Sequence, residues 1–84
     1  MPNPFSDATT IQLDLPRPAH VRLQVYSVTG QLVRSLIDSD FPAGSRFVRW
    51  DGVGKSGKRV APGVYLLKFD SGTQQATRRV VVLR

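Results

Sequence analysis

The sequence predicts an all-β protein: a two-sheet antiparallel β-sandwich of six to seven strands. Three observations lead there. Apolar residues recur with period two, as in Ile11, Leu13 and Leu15 and again in Val21, Leu23 and Val25; that is the spacing of a strand with one buried face. Turn-forming clusters of Gly, Pro, Ser, Asp and Thr interrupt these segments throughout, leaving no room for long helices. The charged residues are six Asp, no Glu, and twelve bases of which nine are Arg, so the Glu, Lys and Ala of a helical domain are scarce. Six or seven strands in 84 residues suit two packed sheets better than a closed barrel.

Each segment has its own reason. Pro2 and Pro4 remove backbone donors and force extended geometry on their neighbours, so residues 1–7 read as a linker ahead of a single sandwich domain over residues 8–84. Thr9 to Leu15 alternates strictly, and Pro16-Arg17-Pro18 stops it. His20 to Tyr26 alternates again until Thr29-Gly30 turns the chain. Gln31 to Ile37 is a third, less regular strand, and Asp38 to Gly44 reads as a loop. Ser45 to Asp51 is a fourth strand with Trp50 near its end, followed by the glycine-rich stretch Gly52 to Lys58. Ala61-Pro62-Gly63 leads sharply into a fifth strand, Val64 to Asp70, and Ser71-Gly72 turns it into a sixth, Gln74 to Leu83.

The expected core is Ile11, Leu13, Leu15, Val21, Leu23, Val25, Tyr65, Leu67 and Phe69, with Val48 or Phe47 from the fourth strand. Parity is ambiguous in the third and sixth strands, because Val80 to Leu83 is apolar at every position. Pro62-Gly63-Val64-Tyr65 resembles a tyrosine corner, in which a Tyr early in a late strand bonds back to the preceding turn. That makes the predicted sandwich immunoglobulin-like.

Composition excludes several chemistries. With no Cys, there is no disulfide, thiolate metal site or cysteine nucleophile, and His20 is the only His. Apolar runs as short as Val80 to Leu83 supply no transmembrane segment and no signal-peptide core. The net charge of +6 and pI near 10.9 permit acidic partners. Nucleic acid is not expected, because aromatics are not interleaved with the bases on one face.

Gly52-Val53-Gly54-Lys55-Ser56-Gly57-Lys58-Arg59 nearly spells a phosphate-binding loop, but Arg59 stands where the magnesium-ligating hydroxyl belongs. The loop would also have to open a helix, and a strand follows instead. Asp38 and Asp40, flanking Ser39, read as a solvated turn in preference to a weak calcium site. The six Asp are spread over strands and loops, whereas acid–base work needs two that converge in a cleft, and no base accompanies Ser6 or Ser27, so no catalytic residue, metal or cofactor is assigned and the chain is not read as an enzyme. Trp50-Asp51-Gly52 reads as structural, with Asp51 accepting from loop amides. Trp50 and Tyr26 are the candidates for the rarer alternative, a sugar-stacking face.

The order of motifs is itself informative: Pro2-Asn3-Pro4-Phe5, Thr9-Thr10-Ile11, Leu23 to Gly30, Pro42-Ala43-Gly44, Trp50-Asp51-Gly52, Gly57 to Tyr65, then Arg79-Val80-Val81-Val82. This succession resembles the C-terminal sorting domain of the type IX (Por) secretion system and the related immunoglobulin-like domain of flagellar hook-capping proteins. The resemblance implies a non-catalytic sorting and anchoring signal on a larger secreted protein. It would pass through the periplasm and deliver an upstream cargo domain across the outer membrane to the cell surface. The implied partners are the outer-membrane translocon and a sortase-like peptidase. The implied recognition residues are Gly63, Tyr65, Arg79, Val80, Val81, Val82, Leu83 and Arg84, and Pro2-Asn3-Pro4 would mark the cargo boundary near the cleavage region. The Trp50-Asp51-Gly52 and Gly57-to-Tyr65 segments lie closer to the hook-capping version. The alternative is therefore a structural or binding module, either a hook-cap-like assembly domain or a carbohydrate-binding appendage. A terminal strand can be read by strand addition, and the same edge leaves open an edge-strand dimer.

Overall fold

The structure, a computed structural model, describes residues 7–83; Pro2-Asn3-Pro4 and Arg84 lie outside the described residues. Six strands are present: β1 (Thr9–Leu15), β2 (Ala19–Ser27), β3 (Leu32–Phe41), β4 (Gly44–Trp50), β5 (Gly63–Asp70) and β6 (Gln75–Val82). No helix occurs among the described residues. β1 and β4 form a two-stranded sheet, and β3, β2, β5 and β6, in that order, form a four-stranded one. All pairings are antiparallel. The two sheets enclose one apolar cluster, the arrangement of an immunoglobulin-like sandwich.

Where the sequence alternates strictly, burial follows it. Ile11, Leu13 and Leu15 of β1 and Val21, Leu23 and Val25 of β2 are buried, and their neighbours face outward or half outward. Registers settle the ambiguous parities. Ile11 pairs with Val48 and Gln12 with Phe47. Val48 is thereby the core residue, and Phe47 stands outside at 72% exposure. Tyr65 pairs with Val80 and Gly63 with Val82, which turns Val80 and Val82 inward, at 0% and 1% exposure. Tyr65 and Phe69 are half-buried against the cluster.

Two expectations need correction. Asp38 to Phe41 is not loop but the end of β3, because His20 pairs with Asp40 and Arg22 with Asp38 across the β2–β3 ladder. Local composition is polar there, and cross-strand ion pairs hold the extended chain that local propensity does not. The chain then passes from one sheet to the other through Pro42-Ala43. Trp50, absent from the expected core, is completely buried and is the largest side chain in it. Arg46 also takes an inward register position, opposite Leu13; its guanidinium lies 4.3 Å from the centre of the Phe41 ring, an aromatic contact that a partly buried cation favours.

Candidate functional site

The residues singled out around Gly63 and the last strand meet at one corner of the sandwich. Gly63 opens β5 with φ of +150°, a conformation side chains resist, which is a backbone reason for glycine before Val64-Tyr65. Two residues on, the Tyr65 hydroxyl donates to the Ala61 carbonyl at 2.6 Å, so the tyrosine corner is present. The Trp50 ring meets Tyr65 edge-on, with centroids 5.9 Å apart and planes at 71°. Trp50 Nε1–H donates to the Val53 carbonyl at 3.1 Å. Asp51 accepts from the Val53 amide at 3.1 Å and from Arg34 Nη1 at 3.2 Å, and Arg34 also donates to the Val53 carbonyl. The Trp50-Asp51-Gly52 turn thus ties β4 to β3 beneath the start of β5.

The residues that the resemblance implies for recognition divide in two. Val80 and Val82 are core residues and present no side chain to a partner. On the opposite face Val64 pairs with Val81 and Leu66 with Arg79. That face carries half-exposed Leu66 and Val81 and exposed Val64 and Arg79, with Leu83 exposed beyond the strand. Val64 and Leu66 stand outside the implied recognition residues, although β5 is apolar at four of its first five positions. An apolar run on both faces is the signal that could have found them.

The phosphate-loop lookalike is a closed turn. The amides of Gly54, Lys55, Gly57 and Val60 donate to the carbonyls of Lys58, Val33, Gly54 and Gly52 at 2.8–3.0 Å, and Val53 bridges Arg59. Amides already bonded within the turn, or to β3 in the case of Lys55, are not presented to a phosphate, and strand β5 follows. For the sugar-stacking alternative, buried Trp50 offers no face. Tyr26 is half-buried, with Lys68 Nζ 4.8 Å above its ring and its hydroxyl donating to Gln24. Among the described residues no group of three or more His or Asp is placed to hold a metal ion.

His20 forms a charged cluster that no local motif announced, because its partners arrive through strand register. Its Nε2 lies 2.6 Å from an Asp38 oxygen and its Nδ1 2.7 Å from an Asp40 oxygen, and Arg22 Nε is 3.6 Å from Asp38. A neutral imidazole has one donor, whereas ionised carboxylates only accept. Two such contacts therefore call for the doubly protonated ring. The hydrogen bonds to Asp38 and then Asp40 raise the His20 pKa above 6.5. The His20 contact lowers that of Asp38, opposed by desolvation and aided by the Arg22 charge.

Comparison with known proteins agrees with this geometry. The family model of the FlgD Ig-like domain matches residues 4–75. The structure is similar to that of FlgD from P. aeruginosa, with 28% identity and a TM-score of 0.68 over 89% of this chain and 59% of that one. It is also similar to dimeric latent PorU from Porphyromonas gingivalis, at 22% identity and TM-score 0.76 over 98% of this chain and 9% of that one. PorZ, an essential bacterial surface component of the type-IX secretion system of the same organism, matches at 26% identity and TM-score 0.67, over 99% of this chain and 11% of PorZ. The chain therefore spans little more than half of the FlgD structure and about a tenth of the other two. No curated protein sequence matches it significantly. Among the described residues no helix is long and apolar enough to cross a membrane.

Proposed function

This chain belongs to the FlgD Ig-like domain family, and from that premise we propose that it is a non-catalytic sorting and anchoring module of a larger secreted protein, handled by type IX machinery on the way to the cell surface. The observation that carries the proposal is the likeness to PorZ, a type IX surface component, across 99% of this chain. The corner geometry supports it and refines the recognition set. Arg79, Val81 and Leu83, together with Val64 and Leu66, form the surface a translocon reads. Val80, Val82, Gly63 and Tyr65 act beneath it by holding that surface in shape. Residues 2–4 are proposed as the cargo boundary, where a sortase-like peptidase acts.

The test fuses the chain to a periplasmic reporter in a host with type IX machinery. Surface delivery is expected for the intact fusion. Val81→Asp and Arg79→Glu, both outward-facing, should reduce delivery while the folded domain persists. Retention of the intact fusion in the periplasm overturns the proposal. A second assignment, a hook-cap-like assembly domain, is favoured by the family match itself and by the 28% identity to P. aeruginosa FlgD. It gains ground if the fusion is retained and the chain instead joins flagellar hook assemblies.

A further inference from the structure

With neighbouring strands about 4.8 Å apart, two strands span roughly half the width of four. The β1–β4 sheet therefore leaves part of the inner face of the larger sheet uncovered. Beside β1, over the Phe69–Ala76 end of β5 and β6, the sandwich opens into a groove of about 620 Å³. Half-buried Phe69 and exposed Ala76 and Arg78 line it on the side of the larger sheet, above the buried Leu23 and Leu67, and Thr10, Gln12, Asp14 and Phe47, above Ile11 and Leu13, line it on the side of the β1–β4 sheet. Among the described strands β1 pairs with β4 alone, so its other side faces this groove, and a strand directs alternate backbone groups to each side.

We propose that the groove is a docking lane for an extended segment of a different protein, which adds to β1 as a third strand of the β1–β4 sheet and carries an acidic residue among inward-facing apolar ones. Phe69 and Ala76 offer apolar surface to the alternate, inward side chains of such a segment, as strand addition requires. Charge selects the acid. Arg78 and Asp14 are the charged residues of the lining. Asp14 already accepts from Ser45 and Gln12. Arg78 has no carboxylate partner among the described residues. A second copy of this chain is disfavoured as occupant because each brings a net charge of +6. The lane uses different residues from the sorting surface and stands or falls separately from it.

The test titrates the ¹⁵N-labelled 84-residue chain with acetyl-Thr-Val-Thr-Val-Thr-Glu-Thr-amide and with the same peptide carrying Lys in place of Glu. The Glu peptide should shift amides in residues 10–14 and 76–78 with Kd of about 1 mM or tighter, and the Lys peptide should bind at least about tenfold more weakly. Arg78→Glu should reverse that preference, and Ala76→Trp, which fills the groove from an exposed position, should abolish binding of both. Unmoved β1 and β6 amides overturn the proposal, as does equal binding of the two peptides. So does a peptide-independent dimer in which β1 amides are protected, which would make a second copy the occupant. Retention of the parent fold by either variant is read from its own amide spectrum, and either suffices for the test.

Discussion

The two ends of the β5–β6 hairpin share one ladder and differ in what lies over them. At the Gly63–Val82 end, Trp50 roofs the sheet, Tyr65 is pinned to Ala61, and Val80 and Val82 are shut from water. At the Phe69–Ala76 end the smaller sheet has run out sideways, and Ala76 and Arg78 remain exposed on the face that is core elsewhere. The sealed end buries Trp50, Val80 and Val82 and shapes the surface proposed for sorting. The unsealed end keeps half-buried Phe69 and exposed Ala76 within reach. A sandwich with unequal sheets thus produces a rigid end and a receptive end from one strand pair.

Breaking the roof should have the largest effect. Trp50→Ala is expected to cost about 3–5 kcal/mol, a large share of the 5–15 kcal/mol or so typical of a domain; urea unfolding followed by far-UV circular dichroism measures it. Val80→Ala removes two methyl groups from the same end and should cost about 2 kcal/mol, read from the shift in urea midpoint at unchanged slope. Tyr65→Phe deletes only the corner hydrogen bond and should cost about 1 kcal/mol. A Tyr65→Phe midpoint equal to that of the parent would show that the corner does not help to seal this end.

At the His20 cluster, beside the receptive end, the effect is smaller and pH-dependent. His20 has a folded-state pKa raised above 6.5, so its contribution is full below 6.5 and is lost as pH rises through the folded value. Asp38 has a pKa lowered below 3.8, so its contribution is present above 3.8 and fades as pH falls through the folded value. The cluster should therefore stabilise most between those limits, by a small amount that salt screens. His20→Ala should flatten the stability profile there, and NMR titration of the His20 ring should give a pKa above 6.5. The smallest effect belongs to Phe47→Ser: at 72% exposure the ring should leave stability within about 0.5 kcal/mol of the parent. A larger loss in thermal unfolding would mean that Phe47 is covered in solution.

Much of this was legible in the chain, and what was legible had local causes. Strict alternation in Thr9–Leu15 and Val21–Val25 determines strand, inward face and core residues together, because a period of two admits one buried face. Gly63 and Tyr65 could be read as a corner because a backbone conformation and one hydroxyl suffice for it. Residues without a unique period had to wait for their neighbours. Val48 became core and Phe47 surface only when β4 met β1 in register, and Val80 and Val82 turned inward only when β6 met β5. Asp38 and Asp40 looked like a turn until Arg22 and His20 arrived across the ladder, and Trp50 showed no periodic sign of its complete burial. The sequence by itself determined the class of fold, the strands with one apolar face and the corner. Tertiary structure alone decided the registers, the cross-strand charges and the unequal widths of the sheets, because each depends on residues far apart in the chain being brought side by side.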